Sequence, residues 1–265
     1  IQLVEAADIY SEIASKFYDK YGIDKILNIF NKAGSADGIY YFLAQVVNYC
    51  PDPDIHFRYI EAAVKKGDYS EVNRMCTESE HLQPERVRDF LIQADLPERV
   101  PLIVLCDRFG FIEDLTKFLF KKNYIRELDY FVQKHNPSAA GKVVGALIDI
   151  EAPQDYIMKL INSVQHTAPM DELIKETMKR ERLKLLQPIL EQRAQAGSID
   201  TATNNGIVLL AALSNRNPER VLNENQYYDS RVVGDILSKR DPHLAFLAYA
   251  RGLCDDEVIE LTNKH

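Results

Sequence analysis

The sequence predicts an all-α protein, an α-α superhelix of stacked antiparallel helix hairpins. Glycine is scarce, at 11 of 265 residues, well under the ~7 % of an average protein, and strict apolar/polar alternation is rare. Apolar residues keep helical spacing instead. Val87, Phe90, Leu91 and Ala94 fall at i, i+3, i+4 and i+7, and Ile125, Leu128, Phe131 and Val132 at i, i+3, i+6 and i+7. The third observation is a joint that recurs with fixed internal spacing, the mark of a repeat architecture.

In that joint, Lys65-Lys66-Gly67 is followed by Glu71-Val72, and Lys121-Lys122-Asn123 is followed at the same offsets by Glu127-Leu128. Gly110 precedes Asp114-Leu115 in the same way, and Gly252 precedes Glu257-Val258 one residue later. Glycine or asparagine in the left-handed conformation ends one helix, with lysines of the last turn near its negative dipole end. An acidic residue then sits early in the next helix, and the short turn sets the two antiparallel.

Helix starts are written at Asp52-Pro53, Asn136-Pro137, Asn217-Pro218 and Asp241-Pro242. There an Asx side chain is placed to cap free amides, and proline supplies the φ of the first helical position. Segments counted this way give about eighteen helices with short connections. Each hairpin then touches mainly its neighbours. Ile1-Gln2-Leu3-Val4 is apolar and the last helix runs to Lys264-His265 without a polar closing repeat, so the chain is expected to be an excerpt of a longer array.

A formal net charge of −8 argues against a nucleic-acid or anionic-membrane surface. The most basic stretch, Lys179 to Lys184, is interrupted by Glu181 and Leu183 and is expected to be a solvated helix face. Cys50, Cys76, Cys106 and Cys254 form no CxxC pair, which fits reduced thiols and a cytoplasmic location. The longest apolar run, Ile207 to Leu213, is far short of the ~20 residues of a membrane span.

Catalytic patterns are wanting. His56, His81, His135, His166, His243 and His265 make no metal-ligand spacing and are expected at the surface or at caps. Gly141-Lys142 lacks the first glycine and the hydroxyl residue of a phosphate loop. Asp255-Asp256-Glu257 approaches an aspartate-rich magnesium motif, but Ile259 stands where the last aspartate belongs, and carboxylates at a helix start explain the cluster. Tyr40, Tyr41, Phe42, Phe118 and Phe120 lie among apolar helix residues and are read as core, not as base-stacking platforms. No cofactor, metal or nucleic-acid partner is expected.

Several strings resemble the clathrin heavy-chain family: GIYYFLAQVVN at Gly38 to Asn48, PERVRDFL at Pro84 to Leu91 and PLIVLCDRFGF at Pro101 to Phe111. Further along come FVQKHNPS at Phe131 to Ser138, RLKLLQPILE at Arg182 to Glu191, NPERVL at Asn217 to Leu222, YYDSRVVG at Tyr227 to Gly234 and KRDPHLA at Lys239 to Ala245. They stand in the family's order from about Gly38 onward. Phe246-Leu247 and Gln187-Pro188-Ile189 depart from the wording of animal members and suggest a divergent lineage.

The resemblance implies a right-handed solenoid of the heavy-chain repeat type. Residues 1–68 would end one repeat, 69–208 form a complete one and 209–265 begin the next. It further implies a structural coat segment of the ankle and distal leg, which assembles with other heavy-chain legs on the cytoplasmic face of coated pits and vesicles. Light chain and adaptors would engage other parts of the full-length chain. Two alternatives remain at this point: a vesicle-tethering or sorting subunit with the same repeat, and a magnesium-dependent helical enzyme using Asp255 and Asp256.

Overall fold

The computed structural model describes residues 22–264. The apolar stretch Ile1 to Val4 and His265 lie outside the described residues. Seventeen α-helices and no strand occur among them. The residues fall into two compact units, divided between Phe111 and Ile112.

The first unit holds α1 (Ile23–Lys32), α2 (Ala36–Val46), α3 (Pro53–Lys66), α4 (Tyr69–Glu78), α5 (Pro84–Ala94) and α6 (Val100–Phe109). Most are near ten residues, a length at which an isolated helix is marginal in water, so tertiary burial must stabilise them. The amphipathic pattern supplies that burial. Phe42, Ile60, Ala63, Val72, Cys76, Val87 and Leu105 are fully buried, and α4 packs on α6 as well as on its sequence neighbour α3.

The second unit holds α7 (Ile112–Lys121), α8 (Ile125–Tyr130), α9 (Ala140–Asp149), α10 (Gln154–Val164), α11 (Met170–Lys179), α12 (Gln187–Gln195), α13 (Thr201–Leu213), α14 (Pro218–Glu224), α15 (Ser230–Leu237), α16 (Pro242–Arg251) and α17 (Asp255–Lys264). Alternate helices α7, α9, α11, α13 and α15 pack successively in a row. The helices between them return along the other side, where α14 meets α16. This is the nearest-neighbour order of a helical repeat. Leu119, Val143, Leu147, Leu173, Leu209 and Val233 fill the interface of the row.

One irregularity interrupts the α-helices of this unit. After α8 the chain widens into a π-helical turn, Phe131–His135, then tightens into a 3-10 turn, Pro137–Ala139. Phe131 and Val132 are both fully buried at this wide turn, which Asn136 N–H closes on Phe131 O at 2.8 Å.

Candidate functional site: helix joints and an inter-helix ion cluster

The joints are the feature that the sequence singled out. Gly67 has φ 79° and Gly110 φ 78°. At each, the amide after the glycine reaches back to the helix: Asp68 N–H to Ala63 O at 3.0 Å and Phe111 N–H to Cys106 O at 2.8 Å. This is the six-residue closure of a Schellman turn. An added Cβ would meet nothing within 4 Å at either glycine, so the positive φ alone selects glycine there. Asn123 has φ 62°, with Tyr124 N–H on Leu119 O at 2.8 Å.

Gly252 requires a correction. Its φ is −84°, and the neighbouring Leu253 takes the left-handed position at φ 53°. Cys254 N–H closes the turn on Tyr249 O at 3.0 Å, so the joint exists one residue later, consistent with the extra residue in its spacing. Glycine is needed at 252 for room, because a Cβ would stand 2.3 Å from Ser230 Cβ.

The same closure occurs where no glycine or asparagine announces it, with Glu151 at φ 53° and Glu181 at φ 57°. Their following amides bond to Leu147 O at 2.9 Å and Thr177 O at 2.8 Å.

Among the helix starts, Asp52 accepts from Asp54 N–H at 2.9 Å and Asp241 accepts from Leu244 N–H at 3.1 Å. Asn136 accepts from Ala139 N–H at 3.2 Å and opens the 3-10 turn ahead of α9. Asn217 is the second correction: it sits at φ 48°, ψ 53° and its side chain makes no cap. An N-cap needs extended backbone to swing its side chain over the first turn, and the left-handed conformation points it elsewhere. Ser35, Asp68, Asp200 and Asp229 cap helices without a following proline.

The stretch Lys179 to Lys184 is also corrected. α11 ends at Lys179 and the chain turns at Glu181, so no single helix face exists there. Arg180 is 13 % exposed and clamps the row. It forks onto Asp149 at the end of α9, bonds Glu176 one turn back on α11, and lies 3.7 Å from Glu113 of α7. Burial pushes the Glu176 carboxyl up, yet hydrogen bonds from Arg180 and Lys179 outweigh it and hold the group below its ordinary range. The fork from Arg180 holds Asp149 low as well.

In the first unit, His56 is buried, not superficial, at 4 % exposure. Its Nδ1 faces the Ser79 hydroxyl at 2.8 Å and its Nε2 faces Cys50 O at 2.9 Å. The tautomer that satisfies both carries its proton on Nε2 and accepts from Ser79. Arg108 donates to Cys76 O at 3.1 Å and Ser79 O at 2.8 Å. The serine–histidine pair therefore ties the start of α3 to the end of α4, with both polar partners buried. Burial pushes the neighbouring Cys76 thiol up to about 12, which removes thiolate chemistry near neutral pH.

Asp255, Asp256 and Glu257 occupy the first turn of α17, and Glu257 pairs with Arg231 of α15 at 2.5 Å. Among the described residues no group of three His, Cys, Asp or Glu side chains is placed to hold a metal ion. No described helix is long and apolar enough to cross a membrane.

Short helices stacked in order, closed by recurrent left-handed turns and clamped across the row by the Arg180–Asp149 fork, define an α-helical repeat protein. A family model described as "Region in Clathrin and VPS" matches residues 14–155 and 161–265, and the chain belongs to that family. It is 46 % identical over 254 residues to a clathrin heavy chain of Drosophila melanogaster and 46 % over 253 to one of Dictyostelium discoideum. A "Clathrin heavy chain 2" of Homo sapiens is 44 % identical over 254 residues. Each alignment covers 96 % of this chain, which spans only 15–16 % of the length of these curated relatives.

Proposed function

We propose that the chain is a stretch of a clathrin-type heavy-chain leg that contributes to a polyhedral coat lattice, serving endocytosis and intracellular vesicle transport. The observation that carries this is identity of 44–46 % sustained over 96 % of the chain with heavy chains of fly, amoeba and human. The role is mechanical and not enzymatic. Hairpins that touch only their neighbours yield slightly at each joint while keeping their order, and many weak side-by-side contacts between legs add through multivalency.

In this reading residues 69–208 form one complete repeat, flanked by parts of two others. Other heavy-chain legs are its lattice partners, and light chain and adaptors engage the full-length chain elsewhere. The place of work is the cytoplasmic face of coated pits and vesicles at the plasma membrane, trans-Golgi and endosomes.

Immunogold labelling of membrane sheets with an antibody to this chain tests the proposal. Label on polyhedral coats is expected. Label confined to uncoated membranes overturns it and favours a tethering or sorting subunit, a reading kept open by the inclusion of VPS proteins in the family description.

A further inference from the structure

α2 presents two adjacent tyrosines whose rings form a corner. The Tyr40 and Tyr41 centroids are 5.3 Å apart and their planes meet at 76°. Lys66, the last residue of α3, places its Nζ 4.0 Å from the Tyr40 centroid and 3.8 Å from that of Tyr41. Asp68 stands close to the same ammonium, which helps to hold its carboxyl low. The larger causes are its hydrogen bonds from Ser70 and from the Tyr40 hydroxyl, the latter at 2.8 Å.

The walls are fixed before any ligand arrives. Tyr40 is buried, anchored through its hydroxyl and set 5.6 Å from the ring of Tyr59, which is itself bonded to Glu71 at 2.8 Å. Lys66 by contrast is exposed.

Two ring faces beside a carboxylate form the recognition chemistry of an alkylated ammonium. A plain ammonium is strongly hydrated and gains little by leaving water. N-methyl groups keep the charge, weaken its hydration and pack on ring faces. Methyl groups require the nitrogen to withdraw from its seat 3.8–4.0 Å from the two centroids, and it can do so while staying within the ~6 Å over which the rings attract a cation.

We propose that Lys66 Nζ is an N-methylation site, and that the Tyr40–Tyr41–Asp68 corner binds the methylated side chain within the same molecule. The side chain swings into solvent and loses a proton to water, and the free amine attacks the methyl carbon of a sulfonium donor on a lysine methyltransferase. The N–C bond forms as the C–S bond breaks, and the donor leaves as a neutral thioether. The methylated ammonium then returns to the corner and fastens α2 to the end of α3, beside the Gly67 turn. This proposal stands independently of the coat reading.

Two measurements test it together. Peptide mass mapping of the protein from its own cells is expected to show whole methyl increments on the peptide carrying Lys66. Trimethyl-lysine installed at position 66 of the full chain is expected to raise hydrogen-exchange protection around Gly67 and Asp68 by about 2- to 5-fold. That gain should disappear in Tyr41→Leu, which removes the half-buried wall and leaves the buried Tyr40 in place. Unmethylated Lys66 in cells, or protection unchanged by trimethylation, overturns the proposal.

Discussion

Arg180 holds Asp149 in a two-pronged fork, Nε to Oδ1 and Nη2 to Oδ2, both at 2.7 Å. The pair joins the C-terminal ends of α9 and α11, 31 residues apart in sequence. Gly145 of α9 makes room for it, since a Cβ there would lie 2.6 Å from Arg180 Nη1 and 3.0 Å from Glu176 Oε2. Arg180→Ala leaves Glu176, 5 % exposed, without its main partner. We expect a loss on the order of 3 kcal/mol in denaturant unfolding, typical of a buried pair broken from one side. Gly145→Ala is expected to cost about 1–3 kcal/mol by overpacking. In Arg180→Ala that second loss should shrink, so a double-mutant cycle reads the shared space directly; strictly additive losses would contradict it.

The joints give a contrast between strain and room. Gly67→Val and Gly110→Val should each destabilise by roughly 1 kcal/mol or more, because a β-branched residue resists positive φ where nothing crowds it. Gly252→Ala should destabilise by collision with Ser230, and Ser230→Gly should restore most of the loss. Thermal unfolding of the single and double variants separates the two mechanisms. An unchanged midpoint in Gly110→Val would refute the geometry of the joint.

These positions also show what was legible in the sequence. Gly67, Gly110 and Asn123 announce left-handed turns because few other residues adopt them readily, whereas Glu151, Glu181 and Leu253 take the same conformation with no local mark. There the two packed helices impose the turn, and the side chain tolerates it. At Asp52 and Asp241 an Asx side chain caps the helix that the following proline begins, while Asn217 shows that the same letters fit a left-handed residue. The cross-helix part of the Arg180 cluster was invisible: Asp149 and Glu113 are distant in sequence, and Lys179 to Lys184 has the composition of a solvated face.

The caps yield a paired prediction. Asp241→Ala should cost about 1 kcal/mol, the usual worth of an N-cap that bonds the first turn. Asn217→Gly should cost nothing measurable, because no cap is lost and glycine relaxes a φ of 48°. Urea unfolding of both variants checks this, and equal losses would contradict the assignment.

His56 makes the first unit sensitive to mild acid. Burial holds its imidazole below the usual 6.5, with His81 adding to the shift against a hydrogen bond to Cys50 O that opposes it. The unfolded chain therefore binds a proton that the folded one refuses, and stability rises with pH across that interval. It is fully present above the unfolded value of 6.5 and lost as pH falls below it toward the lowered folded value. In His56→Gln the loss as pH falls below 6.5 should be smaller. Superimposable stability profiles of the two proteins would contradict the buried neutral state.

The proposed role, the mechanical repeat of a coat leg, is tested most directly by a chimaera. The matching 254 residues of the Drosophila melanogaster heavy chain are replaced by this sequence, and assembly is followed by sedimentation and electron microscopy. Closed polyhedral cages are the predicted result. A chimaera that folds but forms no cages, where the unaltered fly chain does, would contradict the account.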